Sequence, residues 1–288
     1  MVSGIDSVNH VGIVVHDMAA CVAAYEAMGF QLTPFSKHSG AQKPGEAVKP
    51  YAYGNRCIMF GQNYLEIIAN VDPENPEPRM AGYLRRHQGG HIICFNAEDM
   101  ETADEIVRGN GLESSGVIPL QRDIDTPDGT KTAKFERAQF AIGETPEGYI
   151  QAARHLTPEY IYQPRYITHA NDCTALSGVF LVVDDVAGYA ARYGKILGRE
   201  PELSEYQAVF SLPSLSRLTI FDYQHAGHVL PGTLLSGIPS ICGVTFKTSD
   251  LAALRERLTG QGFQIIVEPG RIVVPAEQAS GIALVFEG

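Results

Sequence analysis

The sequence predicts an α+β fold made of four βαβββ units that pair into two domains, and three observations carry that prediction. The segment Val11–Asp17, with the run MAACVAAYEAMGF after it, returns as Val179–Asp185 followed by VAGYAARYGKILG. The segment from His91 to Phe95, leading to Glu98-Asp99 and Asn110-Gly111-Leu112, returns as Cys242 to Phe246, Ser249-Asp250 and Gln261-Gly262-Phe263. Each copy reads strand, aspartate turn, helix and glycine stop, and each is followed by three stretches of strand-type residues.

The elements follow in order. Apolar spacing at Met18, Cys21, Val22, Tyr25 and Met28 marks the first helix, and the glycine behind it reads as a C-terminal cap. The strands of the first unit are QLTPF, NRCIMFG and NYLEIIAN, with a tight turn at Gly61-Gln62. In the second they are VIPLQRD, AKFERAQFAI and GYIQAARH; in the third REPELSEY, AVFSL and SRLTIFD; in the fourth FQIIVEPG, GRIVVPA and GIALVFEG. One such unit leaves a sheet face bare, so units are expected to pair. The expected division is a first domain over 1–157 (units at about 5–80 and 88–157), a linker over 158–175, and a second domain over 176–288 (units at about 176–225 and 239–288).

Composition narrows the function. The 288 residues, 44% hydrophobic and 19% charged, are those of a globular protein. A formal charge of −11 argues against nucleic acid and anionic membranes as partners. A small-molecule substrate is expected, with a homodimer left open as the assembly. The five cysteines are scattered, odd in number and free of CxxC pairs, which suits a reducing compartment. The N-terminal run lacks a basic region and is too short to span a membrane, so a cytoplasmic protein is expected.

Strand alternation then selects candidate site residues. His10 sits on the face opposite the apolar set Val11, Ile13 and Val15, and Glu66 on the face opposite Leu65, Ile67 and Ala69. His91 opens the second unit, and Gln151 shares a face with Tyr149, Ala153 and His155 in its closing strand. His10, Glu66, His91 and Gln151 thus occupy places read as equivalent: two imidazoles, a carboxylate and an amide oxygen suited to Zn²⁺, Fe²⁺, Mn²⁺ or Ni²⁺. At the corresponding places the second half has Gly178, Thr219, Cys242 and, roughly, Leu284. The unit therefore folds without those side chains, and their presence in the first half points to a metal rather than to folding.

NHVGIVVHDMAACVAAYEAMGF resembles the opening of a vicinal-oxygen-chelate module, and NYLEIIA resembles its closing strand. The four-unit layout is similar to that of extradiol dioxygenases, and the sequence as a whole to glyoxalase-like domain proteins. The resemblance implies a divalent metal at His10, Glu66 and His91, chelating a substrate through adjacent oxygens. Gln151 stands where glyoxalase I and the dioxygenases have glutamate, and an amide cannot act as a base near neutral pH. His155, four residues and about 13 Å along the strand from Gln151, is then the candidate base. Tyr149 and Tyr64 are candidate donors to a substrate oxygen, and Arg56 and Arg137 candidates for holding a carboxylate. Three activities follow as expectations: a metal-dependent lyase or isomerase, an Fe(II) ring-cleaving dioxygenase, or a metal-free small-molecule-binding module.

Overall fold

The computed structural model of the chain describes residues 4–40, 49–72, 74, 76–214 and 216–288. The first stretch holds β1 (Ile5–Val14), α1 (Met18–Ala27), β2 (Ser36–Gly40), β3 (Lys49–Met59) and β4 (Tyr64–Asn70), with α2 (Pro78–Arg86) behind it. Next come β5 (Gly89–Ala97), α3 (Met100–Gly109), β6 (Ile118–Thr126), β7 (Gly129–Gln139), β8 (Tyr149–His155) and the short α4 (Pro158–Ile161). The third stretch is β9 (Cys173–Val183), α5 (Val186–Leu197), β10 (Glu202–Leu203), β11 (Gln207–Ser211), β12 (Arg217–Asp222) and α6 (Ala226–Val229). The last is β13 (Ser240–Thr248), α7 (Leu251–Gly260), β14 (Ile266–Glu268), β15 (Arg271–Val274) and β16 (Ala283–Glu287).

The long helices start and stop for reasons visible in the sequence. Asp17, Asp99, Asp185 and Asp250 each accept a hydrogen bond from a backbone N–H of the first turn, satisfying donors that have no partner within the helix. The chain then leaves each helix through Gly29, Gly111, Gly198 or Gly262, all at positive φ, a backbone conformation strained for residues with a side chain.

In all four stretches the strand before the long helix runs parallel to the last strand: β1 to β4, β5 to β8, β9 to β12 and β13 to β16. The stretches meet two by two through antiparallel contacts of their first strands, β1 with β5 and β9 with β13. A single bridge, Ile241 to Gly90, links β13 to β5. One sheet face is covered by the long helices in a core that includes Val11, Ile13, Tyr25, Phe95, Leu181, Tyr193 and Phe246. The other face of each pair curves into a trough.

The structure departs from the expectations in three places. The predicted strand QLTPF is irregular, and β2 begins only at Ser36, with much of the segment before β3 outside the described residues. Helix α2 was not expected; its Met80, with Tyr83 and Leu84, packs on Val14, Ile68 and Ile92 at one end of the first trough. The 158–175 segment is no loose spacer. Ile161, Tyr162, Tyr166 and Ile167 pack with Cys57, Met59 and Ala133 over the other end, and His169, accepting from Gln31 N–H at 3.0 Å, donates to the Met59 carbonyl at 2.9 Å. Among the described residues no helix is long and apolar enough to cross a membrane.

A side chain at Gly90 would run into the carbonyl oxygen and Cβ of Ile241, where the two pairs touch. Gly90→Val is expected to cost about 2–3 kcal/mol through overpacking. Gly61→Ala, at a position with nothing within 4 Å, is expected to change stability by less than about 0.5 kcal/mol. Urea denaturation midpoints check both.

Candidate active site

The first trough brings His10 and Glu66 together. Gly12 of β1 pairs with Glu66 of β4, and His10 with Tyr64, so both side chains leave the same face of adjacent strands. His10 is 7% and Glu66 6% exposed, and His10 Nε2 lies 3.9 Å from Glu66 Oε2. The other oxygen, Oε1, accepts from the Asn55 amide at 2.5 Å.

Behind the imidazole runs a chain of polar side chains. His10 Nδ1 is 2.8 Å from Asn9 Oδ1, the Asn9 amide donates to Asn96 Oδ1 at 3.2 Å, and the Asn96 amide donates to both oxygens of Asp6 at 3.1 Å. Because Asn9 offers its oxygen, which only accepts, Nδ1 carries the proton and the Nε2 lone pair is directed at Glu66. The Tyr64 ring stacks on the imidazole, centroids 4.5 Å apart and planes 15° apart, and fixes its tilt. A proton on Nε2 or a metal ion between them would compensate the buried carboxylate.

The other expected residues are placed as follows. His91 is the extra residue of a β-bulge, since Gly12 pairs with Ile92 and Ile13 with Gly90. Its ring stacks against Tyr83 and His87, and Nε2 contacts the His87 carbonyl at 2.9 Å, while Nδ1 is buried with no partner. It is not brought to His10. Among the described residues no group of three His, Cys, Asp or Glu encloses an ion, so the expected three-ligand set fits a metal only through its His10–Glu66 half. Gln151 lies in the strand row His10–Cys94–Gln151 across β1, β5 and β8, with its amide against the Cys94 thiol.

His155 holds to Tyr162 OH through Nδ1 at 3.0 Å, and the Tyr64 ring lies between it and His10, 6.3 Å from the His155 ring. Burial, with the Arg122 charge adding to it, drives its pKa down to about 3, so the imidazole is neutral. Tyr149 OH accepts from Arg137 at 2.8 Å, and burial pushes both Tyr149 and Tyr64 up, so both hydroxyls keep their protons. Arg56 is engaged elsewhere: its Nε donates to the Thr33 carbonyl at 2.7 Å, as expected for a residue out of phase with Asn55 and Cys57.

Sequence reasoning missed several neighbours. Arg79 reaches Tyr53 OH at 2.9 Å and lies 5.3 Å from the Tyr149 ring centroid. Arg122 shares a strand face with Ile124, its charge is felt at His155 and Cys57, and its Nε is buried with no partner. The trough thus carries Glu66 together with arginines towards both ends, Arg79 near Tyr53 and Tyr149 and Arg122 near His155 and Cys57. All five cysteines are free and buried, and burial pushes each thiol up, Cys21 to about 11. None is an activated nucleophile.

A glyoxalase-like domain profile matches residues 8–197, two thirds of the chain and all of the His10–Glu66 trough. The chain belongs to the glyoxalase-like domain family. Its fold is that of the vicinal-oxygen-chelate proteins. Solved structures similar to it include a mutant 4-hydroxymandelate synthase from Streptomyces coelicolor (11% identity, TM-score 0.61, 99% of this chain and 93% of that one). An Mn(II)-bound glyoxalase from Novosphingobium aromaticivorans (12%, 0.56, 99% and 82%) and an extradiol ring-cleaving dioxygenase from B. fuscum (13%, 0.57, 99% and 72%) are also similar. At these identities the likeness concerns the fold. No curated protein matches the chain significantly.

Burial pushes His91 down to about 3, and it pushes His87, His155 and His169 down as well. The unfolded chain, with imidazoles near 6.5, binds more protons than the folded one below that pH, so stability is full above about 6.5 and lost as pH falls towards 3. His91 alone should cost up to about 2 kcal/mol between pH 7 and 5. Urea midpoints measured across that range should fall, and His91→Gln should flatten the fall.

Proposed function

We propose that the chain is a divalent-metal-dependent lyase or isomerase acting on a small, oxygen-rich, anionic substrate bound in the first trough. The observation that carries this is the His10–Glu66 pair: an imidazole whose lone pair is aimed, through the Asn9–Asn96–Asp6 chain, at a carboxylate 3.9 Å away. His10 and Glu66 hold the metal in this reading, and the Gln151 amide oxygen is the third donor. The ion supplies Lewis-acid stabilisation of negative charge on substrate oxygens.

The chain's own residues do the rest. Arg122 and Arg137 hold the anionic group of the substrate, Arg122 through the Nε that has no protein partner. Tyr149, kept protonated and oriented by Arg137, donates to a substrate oxygen. His155 is the proton acceptor. Tyr162 fixes the ring at Nδ1, leaving the transfer to Nε2. Helix α2 and the 158–175 segment pack over the two ends of the trough.

Ring cleavage by Fe(II) is the second reading. One imidazole, one carboxylate and one amide fall short of two histidines and a carboxylate, which favours the non-redox chemistry. Protein exchanged against Mn²⁺, Zn²⁺, Ni²⁺ or Fe²⁺ should retain close to one ion per chain. His10→Ala and Glu66→Ala should each lower metal affinity by at least about tenfold, and Asn9→Ala by about ten- to a hundredfold through loss of ring orientation. Full metal retention in both His10→Ala and Glu66→Ala would remove this site. Oxygen uptake with catechols in the iron form would move the assignment to the dioxygenase.

A further inference from the structure

The trough of the second pair holds a cavity of about 300 Å³, lined among others by Phe180, Tyr206, Arg217, Thr219, Arg271 and Glu287. It lies where the first trough carries the His10–Glu66 pair. Counting back seven residues from the capping aspartates, Gly178 takes the place of His10. Thr219 pairs with Phe180 as Glu66 pairs with Gly12, and so takes the place of Glu66. The space remains and the metal-ligand chemistry is gone.

What remains is a surplus of hydrogen-bond donors. Arg217 spends Nη2 on both oxygens of Glu287 at 2.8 Å, and Lys247 also reaches that carboxylate at 3.4 Å. Arg271 spends Nε on Glu268 at 2.6 Å and Nη2 on the Val229 carbonyl at 3.0 Å. A guanidinium offers five N–H donors. Nε and Nη1 of Arg217 and Nη1 of Arg271 have no partner among the described residues, while the one lining carboxylate is already occupied by two cations. Thr245, fully buried beside Gly178 in the same strand row as Arg217, keeps a hydroxyl with no partner.

The walls are aromatic and apolar. Phe180 stands on the floor strand, and Tyr206 is held by stacking on His225, centroids 4.8 Å apart. Phe180 packs in one apolar cluster with Val182, Phe221, Leu230 and Val285, so this wall is continuous with apolar core. Unspent guanidinium donors at one side and flat apolar walls at the other select a small aromatic carboxylate.

We infer that the second trough is a metal-free binding site for a small aromatic carboxylate, distinct from the metal site of the first. The chain has no tryptophan, so Tyr206→Trp places a single fluorophore in the wall. Titrated with benzoate, this variant should show a saturable emission change, and the neutral isostere benzamide should bind at least tenfold more weakly. Adding Arg271→Gln should weaken benzoate at least tenfold, and adding His10→Ala should leave it unchanged. Calorimetry of the unaltered chain with benzoate and benzamide carries the same comparison without relying on a variant. No saturable benzoate response in either assay, an equal response to benzamide, or indifference to Arg271→Gln would overturn the proposal. Loss of benzoate on His10→Ala would also overturn it, by placing the ligand in the first trough. Failure of the metal tests on His10 and Glu66 leaves these outcomes unaffected.

Discussion

The antiparallel pairing of first strands, β1 with β5 and β9 with β13, is the constraint on which the rest depends. A βαβββ unit covers one sheet face with its helix and leaves the other bare, and four strands alone cannot close around that bare face. Joining two units edge to edge doubles the sheet, and its twist curls the bare faces into a trough. The same pairing sets the addresses of the side chains. His10 and Glu66 meet because β1 lies between β5 and β4, and Gln151 enters the same row because β8 lies on the far side of β5. The cost is a register that must absorb bulges, and one of these expels His91 from the row.

Polarity within the trough follows from what each strand brings to the bare face. Glu66 is tolerated because Asn55 and the His10 imidazole face its two oxygens, and the imidazole is held by amides that end on a carboxylate, Asp6. A buried polar chain of this kind is expensive unless each link is satisfied. Here the links run from Asp6 to Nδ1, and Nε2 faces Glu66 Oε2 at 3.9 Å. The second trough solves the same space differently. Gly178 and Thr219 remove the ionic pair, and Arg217 and Arg271 line the space instead.

The parts legible in the sequence were those written in short-range signals. Aspartate caps, glycine stops and apolar periodicity gave the helices, and strand alternation placed His10 and Glu66 on one face. The same signals separate His91 from His10. His10 precedes Asp17 by seven residues, whereas His91 precedes Asp99 by eight, so His91 corresponds to Asn9 and is out of phase with His10. Arg56 fails for the same reason, being one residue out of step with Asn55 and Cys57. The covering of the trough was not legible, because α2 and the 158–175 segment carry no repeat partner and their docking depends on contacts distant in sequence. Nor were Asp6, Asn96 and Arg122, whose importance lies in lateral contacts between strands.

The central claim is that the gap between His10 Nε2 and Glu66 Oε2 is a metal site. Crystals grown with Mn²⁺ and measured at the manganese absorption edge test it most directly. The account predicts an anomalous peak within about 2.0–2.2 Å of both atoms once the side chains close on the ion. A peak confined to another part of the molecule, or a bare His10–Glu66 gap at saturating manganese, would contradict it.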